Sequence, residues 1–264
     1  MSSTKPIGVF DSGLGGLTIV NAIQKALPQE KMVYFGDTAH LPYGDKSKKT
    51  IKKYSSNIVS FLEEKGCKLI VIACNSASAT AYSYLRNKFP NMVILDVINP
   101  LVSHLKKDKF LDSTIGVIGT SATINSGVYQ KKISKINRKA KCLATPLLVP
   151  IIEENIKKKL SQPIIDNYLK SKQLSKINHL VLGCTHYPLI KNQIKKHYNK
   201  KVSVIDVPLI MSAHIKKVLK KKKIENKSTV KPKYSFFVSD LTSNFENSTK
   251  KFLKYRIKLI EYKL

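Results

Sequence analysis

Short apolar runs alternate with helical patterns along almost the whole chain, and this alternation narrows the fold more than any other feature. Residues 7–10, 32–35, 69–73, 93–97, 115–118, 180–182 and 202–205 read as buried strands. Between them, 17–27, 50–65 and 77–88 read as helices, the first stopped by Pro28 and the second by Gly66. Strand–helix alternation calls for crossover units and a mainly parallel sheet, with the chemistry at the carboxyl ends of its strands. A chain of 264 residues, 42% of them hydrophobic, has the size and core for one or two such α/β domains.

The longest apolar stretches, 68–74 and 146–152, fall well short of the ~18 residues that span a bilayer. The opening MSSTKP lacks the charged-then-apolar pattern of a secretory signal. The expectation is a cytoplasmic protein with no membrane association. Its four cysteines, Cys67, Cys74, Cys142 and Cys184, have neither C-x-x-C nor zinc-finger spacing, so they are expected as reduced thiols without a metal.

The formal net charge is +30. That predicts some non-specific attraction to nucleic acid and other anions. Yet only Arg86, Arg138 and Arg256 of the 47 cationic side chains are arginines; the other 44 are lysines. Lysine offers point charge to phosphates without the planar fork that reads bases. Most of the lysines read as solvated faces, with clusters at 131–141 and 216–223. Residues 220–233 read as an exposed connection from a helix ending near Leu219 to a strand at 234–238. A basic nucleic-acid-binding protein is the reading that competes from outside enzymology.

Two echoes mark the chain. Ile7-Gly8-Val9-Phe10 resembles Ile115-Gly116-Val117-Ile118, 108 residues on, and the run ending Ala73-Cys74-Asn75-Ser76 resembles the one ending Gly183-Cys184-Thr185-His186, with the cysteines 110 apart. Such offsets suit either an internal duplication or coincidence between ordinary strands. With duplication, each half places a cysteine at a strand's carboxyl end, and two facing halves would set the thiols across one cleft.

Cys74 precedes a helix that Asn75 or Ser76 can cap, and the helix dipole is expected to lower its pKa toward the thiolate. A buried structural cysteine fits that position equally well. Cys184 has His186 two residues on, able to stabilise a thiolate or exchange a proton with it. The plainer reading is a core cysteine beside a solvent-facing histidine. The loop Asp11-Ser12-Gly13-Leu14-Gly15-Gly16 follows a strand, and Asp37 ends the next, as in dinucleotide sites; but Thr18 stands where the third glycine belongs and Asp11 would repel a pyrophosphate. Backbone donors for a small carboxylate, with Asp11 orienting a base or holding an ammonium, suit the loop better. In the turn-rich segment 36–44, the Tyr43 hydroxyl and Gly44 backbone are candidate ligand contacts. Glu153 emerges from an apolar run and is either buried and perturbed or simply solvated.

Taken together, GVFDSGLGGLTI (8–19), YFGDTAHLPYG (34–44), IACNSASA (72–79), GVIGTSATINSGVY (116–129) and LVLGCTHYPLI (180–190) resemble the glutamate racemases over nearly the whole chain. The resemblance implies two pseudo-symmetric α/β domains, each with a mainly parallel sheet flanked by helices, and an active site in the cleft between them. We expect residues 1–98 with 208–264 in the first domain and 99–207 in the second. It implies a cofactor-independent isomerase that makes D-glutamate for peptidoglycan, with a homodimer as the expected assembly. By motif match Cys74 and Cys184 are the catalytic thiols, assisted by Asp11, Glu153 and His186. Substrate contacts carry over to Asp11, Ser12, Tyr43, Gly44, Asn75, Ser76, Thr185 and His186. The abundant lysines do not argue against pyridoxal phosphate, but paired thiols make it unnecessary. Racemases of aspartate or hydantoins share the two-cysteine logic, and a Cys–His hydrolase is a further rival. Departures fall at Ser76 (usually threonine), at 96–100, at Thr145 (often cysteine) and at Val207-Pro208.

Overall fold

In the computed structural model, which describes residues 3–253 and 255–264, the alternation resolves into two separate parallel sheets. The first contains β1 (Ile7–Asp11), β2 (Met32–Gly36), β3 (Leu69–Ile72) and β4 (Ile94–Asp96), joined by β9 (Tyr234–Val238) and β10 (Leu259–Glu261) in the order β10-β9-β2-β1-β3-β4. The second contains β5 (Thr114–Gly119), β6 (Lys139–Ala144), β7 (His179–Gly183) and β8 (Ser203–Ile205) in the order β6-β5-β7-β8. The sub-order second-first-third-fourth recurs in both, with Cys74 and Cys184 just beyond corresponding strands.

Strands β1, β2 and β3 are buried along their whole length, which explains their continuous apolar character. The helices α1 (Leu17–Ala26), α2 (Lys48–Glu64) and α3 (Asn75–Lys88) cover the first sheet; α4 (Ile98–His104) follows it. Around the second sheet lie α5 (Ser121–Asn125), α6 (Val128–Ser134), α7 (Leu148–Glu153), α8 (Lys158–Leu169) and α9 (Lys191–His197). Then α10 (Val207–Lys222) returns the chain to the first lobe, packing on α1. One apolar cluster joins Val9, Leu17, Leu101, Val117, Val181 and Met211, so the two lobes share a core. Among the described residues no helix is long and apolar enough to cross a membrane.

Two strands lie outside the elements expected from sequence. Lys139–Ala144 falls in a lysine cluster that reads as a solvated face, but it is an edge strand and only partly buried. Leu259–Glu261 is a three-residue edge strand, too short for a pattern. The connection at 220–233, expected to be exposed, is anchored in part, with Ile224 and Asn226 buried. The cause is a buried ion pair. Lys68 Nζ donates to Glu30 Oε2 at 2.6 Å and to the Ile224 carbonyl at 2.8 Å, while Glu30 Oε1 accepts the Asn226 N–H at 2.8 Å. Glu30→Ala would leave the Lys68 ammonium buried without its partner. It should cost about 3 kcal/mol, measured as a lower urea midpoint.

Candidate active site

The strand ends of both lobes converge on one cleft of about 350 Å³, lined by Ser12, Tyr43, Gly44, Cys74, Asn75, Ser76, Cys184, Thr185 and His186. Both sulfurs therefore reach the same space. Cys74 ends the β3 run and is itself the N-cap of α3: the Ala77 N–H donates to its Sγ at 3.5 Å. Asn75 and Ser76, the expected caps, are instead the first residues of the helix, and their side chains line the cleft. Cys74 Sγ lies 3.7 Å from Ser12 Oγ.

The helix terminus does not win the contest over the Cys74 proton. Burial, and then the charge of Asp11, push the thiol up to about 12 against the opposing Ala77 and Ser12 hydrogen bonds. The expected drop toward thiolate is overturned, because a residue with 4% exposure loses more from the absence of water than one helix end returns.

Cys184 stands differently. His186 Nδ1 lies 3.7 Å from its Sγ, and Glu153 Oε1 lies 3.0 Å from the other ring nitrogen, off the N–H axis, so that this is an ion contact and not a directed hydrogen bond. Burial on its own would lower the imidazole pKa, but the bond and charge of Cys184 and the Glu153 carboxylate raise it to about 10. His186 is thus a buried cation facing Cys184, not a solvent-facing side chain. Glu153 is the last residue of α7 and its side chain is about one-third exposed, so it is neither deeply buried nor fully solvated.

Asp11 bridges the lobes. Its Oδ1 accepts the Gly13 N–H at 3.0 Å and its Oδ2 accepts the Thr185 hydroxyl at 3.1 Å. Burial raises its carboxyl above the ordinary range, opposed by the His186 cation and these donors. The glycine loop beside it serves close packing. A Cβ on Gly15 would stand 2.5 Å from Thr185 Oγ1 and 2.6 Å from His186 Nδ1. Gly15→Ala should therefore lower kcat/KM at least about tenfold by displacing both groups, measured on the folded variant.

The Tyr43 hydroxyl is not offered to the cleft. It donates to Asp37 Oδ2 at 2.6 Å, and Asp37 also accepts from Ser239 at 2.8 Å. Asp37 thereby fixes the loop whose Leu41, Pro42, Tyr43 and Gly44 form one wall, and it is too engaged to serve a ribose. Ser76 Oγ is 2.9 Å from Thr120 Oγ1, and Thr120 lines the cleft from the second lobe. Thr145 bonds the buried Tyr187 hydroxyl at 2.8 Å behind Cys184, and Asp206 caps α10 through the Leu209 N–H. Sequence reasoning misses Thr120 and this use of Asp37, since both depend on partners distant in the chain. Among the described residues no three His, Cys, Asp or Glu side chains are grouped as a metal ion would require.

Two thiols on one small cleft, each at the end of an equivalent strand, are what an enzyme working both faces of a carbon needs, and the chain belongs to the Asp/Glu/Hydantoin racemase family, matched over residues 16–216. Within it, the chain is 45% identical over 202 residues to a glutamate racemase of Aquifex aeolicus, covering 76% of this chain and 78% of that one. It is 39% identical to a glutamate racemase of Neisseria meningitidis, covering 97% and 96%. The crystal structure of Francisella tularensis glutamate racemase in complex with D-glutamate superposes with a TM-score of 0.91 at 37% identity, covering 98% of each chain.

Proposed function

We propose that the protein is a glutamate racemase, interconverting L- and D-glutamate by a two-thiol mechanism without a cofactor and supplying the D enantiomer for peptidoglycan. The observation that carries the reading is the presence of Cys74 and Cys184 on a single cleft. Inversion requires a proton to leave one face of Cα and another to arrive on the opposite face, and one base cannot readily do both. Cys74 takes the proton from D-glutamate while Cys184 delivers to the other face; for L-glutamate the roles exchange. The His186 cation stabilises negative charge on Cys184 when that sulfur has given up its proton. Cys74, raised by burial and Asp11, becomes a base only when the substrate ammonium brings positive charge beside Asp11. The side chains of Asn75, Ser76 and Ser12 and the backbone N–H of Thr185 supply donors to the carboxylates, and exclusion of water strengthens them.

The division of the chain into 1–98 with 208–264 and 99–207 belongs to the same reading. It is supported by the strand composition of the two sheets. So do a cytoplasmic homodimer, tested by sedimentation, and a weak salt-sensitive attraction to polyanions from the charge of +30.

Incubation of L-glutamate in heavy water without added cofactor should yield D-glutamate carrying deuterium at Cα. No isotope in the product would exclude proton abstraction there. A panel including aspartate and hydantoins separates the related racemase activities, which should be slower than that on glutamate.

A further inference from the structure

Tyr129 is the last residue of the GVIGTSATINSGVY motif and has no part in the scheme above. It stands on α6 of the second lobe, fully buried, and its hydroxyl donates to Asn75 Oδ1 of the first lobe at 2.7 Å. Burial, with the charges of Asp96 and Cys142 adding to it, pushes the phenol far above its ordinary range, so the hydroxyl keeps its proton.

A carboxamide has two ends of opposite polarity, and neighbours decide which faces where. With Oδ1 toward Tyr129, the phenolic proton has an acceptor and Nδ2 is left over. Among the described residues Nδ2 donates to no protein group, and Asn75 lines the cleft beside Cys74. Turned the other way, the amide would strand the buried phenolic proton and present a carbonyl oxygen to an anionic ligand. Both changes are unfavourable, so the first orientation holds.

We infer that Tyr129 is a positioning residue: by occupying Asn75 Oδ1 it commits Asn75 Nδ2 to the cleft as a donor for the substrate carboxylate, and it does so across the lobe boundary. This rests on the glutamate racemase reading above. The two partners belong to different lobes, so the donor is set only when the lobes are together. Carboxylate capture is thereby tied to the same geometry that brings Cys184 opposite Cys74.

The test is Tyr129→Phe, which removes only the hydroxyl, assayed in both directions with each enantiomer. The KM for both enantiomers should rise about tenfold, the effect of weakening one hydrogen bond to a charged group, while kcat changes less than about threefold. In an Asn75→Ala background the same substitution should move KM less than about twofold, because the amide it orients is gone. An unchanged KM, or an equal factor in both backgrounds, would overturn the inference. Asn75→Asp tests the orientation without touching Tyr129. The introduced carboxylate would keep the acceptor for the phenol but turn an oxygen on the substrate, so it should raise KM more than Asn75→Ala does. A milder effect than alanine would show that the acceptor end faces the cleft. Wild-type enzyme that racemised no glutamate would instead remove the functional reading itself.

Discussion

Replacing either Cys74 or Cys184 with serine should lower racemisation about 10³-fold, within the usual range for loss of a positioned acid–base group. The two enantiomers have equal free energy, so kcat/KM must fall by the same factor in both directions whichever cysteine is changed. The sulfurs are distinguished by isotope. In Cys74→Ser, Cys184 still meets the α-proton of L-glutamate, and any residual deuterium should appear in glutamate recovered as L. In Cys184→Ser it should appear in glutamate recovered as D. Full activity in both variants would end the two-thiol scheme. The reverse labelling pattern would exchange the faces assigned to the two sulfurs.

The features legible in the sequence are those recorded locally. Strands such as 7–10 and 69–73 are buried on both faces, and their unbroken apolar character says so. Cys74 and Cys184 stand out because a reactive residue ends such a run. By contrast, Lys139–Ala144 lies at a sheet edge, where half-exposed lysines are tolerated and the apolar signal fades. The state of the Cys74 proton is illegible because the helix end is visible in the sequence while the degree of burial and the nearby Asp11 carboxylate are not. Tyr43 reaches the cleft as its turn-rich segment suggests, but its hydroxyl belongs to Asp37, a preference set by folding of the loop. Contacts between lobes, such as Asp11 with Thr185 and Asn75 with Tyr129, join residues far apart in the chain and leave no local pattern.

The second large effect is expected at His186. Asn in its place keeps much of the shape but removes the cation beside Cys184, and kcat/KM should fall about 10²-fold equally in both directions. Stability gives a separate readout. The folded-state pKa of about 10 lies above the 6.5 of an unperturbed histidine, so the folded protein holds this proton more tightly than the unfolded chain does. The resulting stabilisation is fully present below about pH 6.5, declines as pH rises, and is gone above about pH 10. Melting temperatures of wild type and His186→Asn should therefore diverge most at the acid end of that window and converge at the alkaline end. A gap that widened with rising pH would mean that His186 is not the cation beside Cys184.

Strand β2 is held between β1 and β9, and Tyr234–Val238 follows Met32–Gly36 by about two hundred residues. On the ribosome, at ordinary rates of synthesis, that delay is on the order of tens of seconds. Throughout it the nascent first lobe carries an unpaired row of backbone donors and acceptors along β2, whereas the inserted second lobe has every strand of its own sheet before β9 is made. The period of greatest exposure to mispairing between neighbouring polysomal chains thus ends only with the return of the polypeptide to its starting lobe, and slowing elongation between the codons for β8 and β9 would lengthen it.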